Sequence, residues 1–310
     1  MEEYNIRQKL MGTNFKLGVI ARNVMDADHF LEMGISEIKR IENLISEFLP
    51  DSDTTKINKY AISDSVIIEK ECFDLIQRSN AISKLTNGDF DITVSPLKNI
   101  YQFKNSDFEM PDQDIINDTL KSVGYTFLNL NKKNLSVKFI KKNMKISFAA
   151  IGKGYASDMV KKLWKENGVL SGYINASGDL NAFGNKPDGK KWKIAIGNPD
   201  QKDHALLFVP LDNASVATSG DAEQHFFWKG IRYSHNINPH SGMPLKGIKS
   251  VTVFSPGAEL SDALATAVYV KGIVRGLDFI NQLPNSHCII ICDKNKIYFS
   301  KNLQYEAINN

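Results

Sequence analysis

The sequence predicts an α+β fold built as a single domain over residues 1–310, with mixed sheets and helices. Three observations carry this. Helical and strand-like periodicities mix without a regular β-α-β rhythm. No Pro/Ser-rich linker and no internal repeat divides the chain. The composition, 42% hydrophobic and 24% charged, is that of a globular chain, and 310 residues allow one large domain or two ordinary ones.

The elements follow in order. Residues 14–20 (NFKLGVI) alternate as a strand does. Asp28 reads as the N-cap of a helix whose apolar positions, Leu31, Ile35, Ile38, Ile41, Ile45 and Phe48, fall three and four apart, with Pro50 as its stop. The polar stretch 49–55 reads as a loop, and 69–85 as a second helix ending at Asn87-Gly88. Residues 106–145 are polar and rich in Lys and Asn, with a short helix near 114–123 and a hairpin of strands at 126–130 and 135–140. From Lys145 onward glycines become dense and polar residues interrupt apolar runs, the pattern of loops that carry function. The last third reads as a strand, helices at 261–271 and 273–283, and strands at 287–292 and 296–300.

Charge and cysteine usage exclude several classes. Thirty-eight basic residues against 35 acidic leave a net charge of +3, too balanced to attract nucleic acid or an anionic membrane broadly, so an anionic ligand must be held by a local site. Cys72, Cys288 and Cys292 are an odd set without a C-x-x-C pair and read as buried thiols. No run of about 18 apolar residues is present to span a membrane. The opening MEEYNIRQKLMG has no signal-like apolar stretch.

Four segments carry polar and glycine content that packing alone does not ask for. In GDFDITVSPL (88–97), Asp89 and Asp91 flank Phe90 at the start of a β-prone run, where they can hold a ligand's polar edge or cap a turn. In AAIGKGYASD (149–158), two glycines around Lys153 open a helix, which suits a phosphate or a plain helix start; neither G-x-x-x-x-G-K-[ST] nor G-x-G-x-x-G is present. Around ATSGD (217–221) and RYSHNINPHSG (232–242), His235 stands among hydroxyl residues as a general base or as a satisfied core histidine. A Ser219, His235, Asp262 triad lacks the G-x-S-x-G turn that would present its serine. In SDALAT (261–266), Asp262 and Thr266 share one helix face, a hard-oxygen pair suited to Mg²⁺ or a cap with a back-bonded hydroxyl.

Taken in order, MGT (11–13), SEF-x-P with I-N (46–58), FDITVSPL, AIGKGYASD, NASGD, ATSGD, RYSHNINPHSGMP and SDALATA resemble the ApbE family, the FAD:protein FMN transferases, from about Met11 to about Asn281. The resemblance implies an α+β domain of two lobes with a flavin cleft between them. It implies an enzyme that binds FAD as substrate with Mg²⁺, moves the FMN part to a Ser or Thr hydroxyl of an acceptor flavoprotein through a phosphoester bond, and releases AMP. By the same resemblance Met11 matches a flavin-contacting Met, Phe48 a stacking aromatic, Asp89, Phe90 and Asp91 the FAD-holding segment, Lys153 the K-G-Y lysine, and Ile237 the position against the flavin. Thr218, Ser219, Gly220 and Asp221 match the phosphate side. Asp262 and Thr266 match metal-binding side chains, with Ala150 and Ala265 as backbone donors.

Two departures stand out. Ser147 replaces a common family Asp, implying a weaker hold on the ribose or adenine, and Asn238 replaces another, moving the base role onto His235. The same cleft would serve an FAD pyrophosphatase giving FMN and AMP, or an FAD-binding protein without turnover; retention of Asp262 and Thr266 favours turnover. The family's habit of working outside the cytoplasmic membrane, with ten residues before Met11 reading as a mature N-terminus, sets a periplasmic expectation; the missing signal sequence keeps the cytoplasm as the alternative.

Overall fold

A computed structural model describes residues 1–101, 103, 108–220 and 225–307, with only the backbone at 202 and 203. Strands β1 (Glu2–Leu10) and β2 (Thr13–Ala21) lead into helices α1 (Val24–Ile45) and α2 (Asp53–Tyr60), strand β3 (Val66–Ile67) and helix α3 (Lys70–Leu85). Helices α4 (Ser95–Ile100) and α5 (Gln113–Leu120), strands β4 (Leu128–Asn131) and β5 (Ser136–Phe139), and helix α6 (Gly152–Glu166) follow. Then come β6 (Gly172–Ala176), β7 (Asp179–Phe183), β8 (Trp192–Asn198), β9 (Gln201–Leu211), β10 (Ser215–Gly220), β11 (His225–Trp228) and β12 (Ile231–Ser234). The chain continues with β13 (Ile248–Ser255), α7 (Ala258–Lys271), α8 (Ile273–Ile280), β14 (His287–Cys292), β15 (Ile297–Phe299) and β16 (Glu306–Ala307).

The frame is an eight-stranded sheet in the order β1-β2-β6-β7-β10-β13-β14-β15. Every neighbouring pair in it is antiparallel. Helices gather on it and smaller sheets attach to it, which makes the α+β class. Two of its hairpins close through two-residue turns at positive φ, Met11-Gly12 (48° and 75°) and Ser177-Gly178 (56° and 111°), the backbone that matches strand twist. The MGT and NASGD motifs are therefore turns.

Helices α1 and α6 cover one face, burying Leu17, Ile35, Ile38, Ile41, Val160 and Trp164 in the largest apolar cluster. The opposite face meets the β16-β9-β8 sheet through Tyr173, Trp192, Ile196 and Val209. Helices α7 and α8 pack Leu264, Val268 and Ile280 over β13 and β14. A fourth cluster joins Leu97, Tyr101, Ile116 and Ile237. Cys72, Cys288 and Cys292 are buried and free. No helix among the described residues is long and apolar enough to cross a membrane.

The expected helices and strands are present at 69–85, 114–123, 126–140, 261–283 and 287–300, with ends shifted by a few residues. Three local readings need correction. Helix α1 starts a turn before Asp28, because the Asn23 side chain accepts the Asp26 N–H at 2.8 Å and Ala27 extends the buried stripe. The supposed loop at 49–55 already opens α2: Ser52 accepts the Thr55 N–H at 3.0 Å, and the buried Asp53 accepts the Glu69 N–H at 2.8 Å. The β-prone run after Asp91 is instead a 3₁₀ turn (Ile92–Val94) followed by α4, because the Asp91 carboxylate accepts from Thr93 N–H and Oγ1 and Pro96 presets the first helical turn. The glycine-dense stretch from 145 on supplies the expected helix after Lys153, as α6, and, where function-bearing loops were read, most of the large sheet.

Candidate active site

A cleft of ≈ 510 Å³ lies where the starts of α6 and α7 face β7, β10 and β13. Its wall includes Ala150, Lys153, Thr218, Ser219, Gly220 and His235, together with Asp262 and Thr266. These come from four segments spread over more than a hundred positions of sequence, and antiparallel pairing assembles them. Strand β10 pairs with β13 so that Thr218 lies opposite Thr252, with their hydroxyls 2.9 Å apart. The Ser177-Gly178 turn delivers Asp179, whose Oδ1 accepts the Thr218 N–H at 2.8 Å.

The G-K-G segment has a packing reason stronger than phosphate geometry. A Cβ at Gly154 would lie 2.2 Å from the Ala258 carbonyl oxygen, so only glycine lets α6 approach the start of α7 this closely. The Gly154 N–H points to Asp262 Oδ2 at 3.2 Å. One turn on, Asp158 caps α7, accepting from Ala258 N–H at 3.0 Å and Glu259 N–H at 2.9 Å. The motif is thus a joint between two helices that also places Lys153.

Lys153 Nζ stands 3.4 Å from both Asp179 Oδ2 and Asp262 Oδ2. Burial alone would lower its pKa, but the two carboxylates, Asp262 and then Asp179, outweigh that and hold it above the ordinary lysine value. Burial raises the Asp179 carboxyl above the usual range; Lys153 pulls it down and Asp262 pushes it further up.

Asp262 and Thr266 project from α7 one turn apart, as their spacing requires, and Thr266 Oγ1 is 3.1 Å from Ser219 Oγ. Asp262 engages the described residues only through Oδ2, leaving Oδ1 for a ligand. Among the described residues no group of three or more His, Cys, Asp or Glu side chains is positioned around a metal. A cation here would therefore take few protein ligands, as Mg²⁺ does when phosphate and water complete its shell. His235 follows β12 on the cleft wall, half-buried. Its backbone is fixed by a loop closed through Ser234 N–H to Leu245 O (2.8 Å) and Leu245 N–H to Asn236 O (2.9 Å).

Other expected site residues do not line this cleft. Met11 packs on the main core, its Cε 3.6 Å from where a Cβ at Gly152 would stand. Phe48, expected as the last apolar position of α1, lies beyond the end of that helix at Ile45, before α2, and is 87% exposed. Asp89 accepts from Lys271 Nζ at 2.6 Å and pairs with His240 Nε2 at 3.1 Å. Phe90 is buried in the core, and Asp91, besides capping Thr93, accepts the Tyr125 N–H at 2.7 Å. Burial raises the Asp91 pKa despite these bonds from Thr93 and Tyr125. Ile237 lies in the cluster under α4, and Ala265 in the α7 core. Ser147 donates to Glu47 Oε1 at 2.7 Å, and Asn238 Oδ1 accepts the His240 N–H at 2.8 Å, a turn cap. Asp221, the end of ATSGD, falls outside the described residues. Sequence reasoning missed Lys98, Asp179 and Thr252, which the cleft wall includes. Only Asp179 carried a signal, its place after a Ser-Gly turn.

A family model for the ApbE family matches residues 11–290. A FAD:protein FMN transferase of Vibrio cholerae is 27% identical over 291 residues, covering 91% of this chain and 86% of that protein. One from Buchnera aphidicola is 30% identical over 276 residues, covering 86% and 79%. The crystal structure of an ApbE protein from Thermotoga maritima superposes with a TM-score of 0.89 at 28% identity, covering 97% of each chain. The matched span, 11–290, holds every wall residue named above, and the chain belongs to the ApbE family.

Proposed function

We propose that this chain is an FAD:protein FMN transferase, moving the FMN part of FAD to a Ser or Thr hydroxyl of an acceptor flavoprotein and releasing AMP. The observation that carries the reading is the single cleft in which Lys153, His235, Asp262, Thr266 and the Thr218–Gly220 strand end converge. Its ≈ 510 Å³ falls among ligand-sized pockets.

The hard-oxygen pair fits a divalent cation: Asp262 presents on the wall a carboxylate oxygen, Oδ1, that no described residue engages, and Thr266 adds a hydroxyl one turn away. With Asp262 and Thr266 holding it, and the Ala150 and Ala265 carbonyls as further donors by family resemblance, Mg²⁺ supplies neutralisation of the pyrophosphate charge. Lys153 holds Asp262 and Asp179 in register from the other side. Thr218, Ser219 and Gly220 present hydroxyls and backbone beside Asp262 and Thr266. His235 accepts the proton of the acceptor hydroxyl as that oxygen attacks phosphorus, because it is the imidazole on the wall and Asn238, spent on its turn, has no basic atom. The phosphoester to FMN forms as the bond to the AMP phosphate breaks.

The test is His235→Ala. The variant retains FAD binding and loses transfer, and normal flavinylation by it would remove the base assignment. Water in place of the protein hydroxyl gives the pyrophosphatase reading on the same residues. On family resemblance we propose a periplasmic location, which fractionation of the native host with a flavin-labelled acceptor checks.

A further inference from the structure

We infer that Lys98 binds an anionic oxygen of the FAD pyrophosphate, as a second cationic contact separate from the cation site at Asp262 and Thr266. The assignment rests on the FAD reading above. Lys98 and Lys153 are the lysines of the described cleft wall, and the wall has no arginine. Lys153 is already held between Asp179 and Asp262, so its charge is balanced within the protein. The Lys98 ammonium makes no hydrogen bond or ion pair with any described residue.

Its setting shows why an unpaired ammonium matters there. Helix α4 anchors Lys98 between Leu97, fully buried, and Tyr101, whose hydroxyl donates to the Gly242 carbonyl at 2.7 Å. Burial lowers the Lys98 pKa; Glu47 opposes the fall and Lys153 adds to it. Glu47 acts from beyond ion-pair distance and accepts the Ser147 hydroxyl instead. A cation held in a cleft without a partner is costly unless a ligand supplies the counter-charge. Pyrophosphate is dianionic, and one divalent cation shared with Asp262 leaves charge for Lys98 to meet.

The experiment measures FAD, ADP and riboflavin binding with Mg²⁺ for wild type, Lys98→Met, Lys98→Gln and Lys98→Arg. Loss of a charge-assisted contact weakens FAD and ADP by about 10- to 100-fold in the Met and Gln variants. Riboflavin, which has no phosphate, stays within about twofold, Lys98→Arg retains most of the affinity, and the wild-type advantage shrinks as salt rises. FAD and ADP binding within about twofold of wild type in Lys98→Gln would overturn the assignment. So would a loss that falls equally on riboflavin, which places Lys98 on the flavin edge. Wild-type protein that binds no FAD would contradict the transferase reading itself, a different failure from an unaffected variant.

Discussion

The backbone N–H of Gly154 lies 3.2 Å from Oδ2 of Asp262, joining the start of α6 to the functional face of α7. Space and chemistry meet at this joint. The approach that admits the Ala258 carbonyl also orients the Asp262 carboxylate, proposed above as a cation ligand, and Lys153, one residue earlier, reaches the same oxygen.

Gly154→Ala therefore damages the site as well as the fold. The added Cβ meets backbone, which cannot rotate away, and the cost is about 3 kcal/mol or more by the measure of overpacked cores. Gly152→Ala meets Ile45 Cδ1 at 3.0 Å, the end of a flexible side chain, and costs less. Urea unfolding of the two variants checks the ranking; equal stabilities would contradict the joint.

Thr266→Val removes the hydroxyl from the Asp262–Thr266 pair and leaves Ser219 Oγ without that partner. The Mg²⁺ concentration for half-maximal AMP release rises about tenfold or more, while Thr266→Ser stays near wild type. Chelation abolishes turnover in all three. A Val variant with unchanged Mg²⁺ dependence would remove Thr266 from the metal site.

Glu71 ties α3 to two other helices, accepting from Arg40 at 2.7 and 2.8 Å and from Tyr155 Oη at 2.6 Å. The Arg40 bonds lower its pKa, against burial and with help from Tyr155. Because the folded-state value is depressed, its stabilisation is complete above the ordinary value of 4.5 and is lost as pH falls through the folded value. Glu71→Gln thus costs about 1 kcal/mol at pH 7, as a partly exposed pair does, and the difference from wild type closes below pH 4.5. A gap that widens in acid would contradict this sign.

Where apolar periodicity decides structure, the sequence was readable: the stripe of α1 as far as Ile45, the helix at 69–85 and the strand His287–Cys292 follow from spacing alone. It failed where a polar side chain outvoted propensity, as when Ser52 caps α2 and Asp91 turns a β-prone run into helix. The site splits the same way. Asp262 and Thr266 are four apart on one helix, so their pairing was visible, and Lys153 between two glycines and His235 among hydroxyl residues stood out by their surroundings. Asp179 and Lys98 reach the cleft only through sheet order and the packing of α4, which spacing along the chain does not encode.

Incubation of the purified protein with FAD, Mg²⁺ and a flavinylation-competent acceptor domain, following AMP release and in-gel flavin fluorescence together, tests the central claim most directly. A fluorescent acceptor band with matching AMP is the predicted result. AMP and free FMN at the same rate with and without acceptor, and no labelled band, would contradict it.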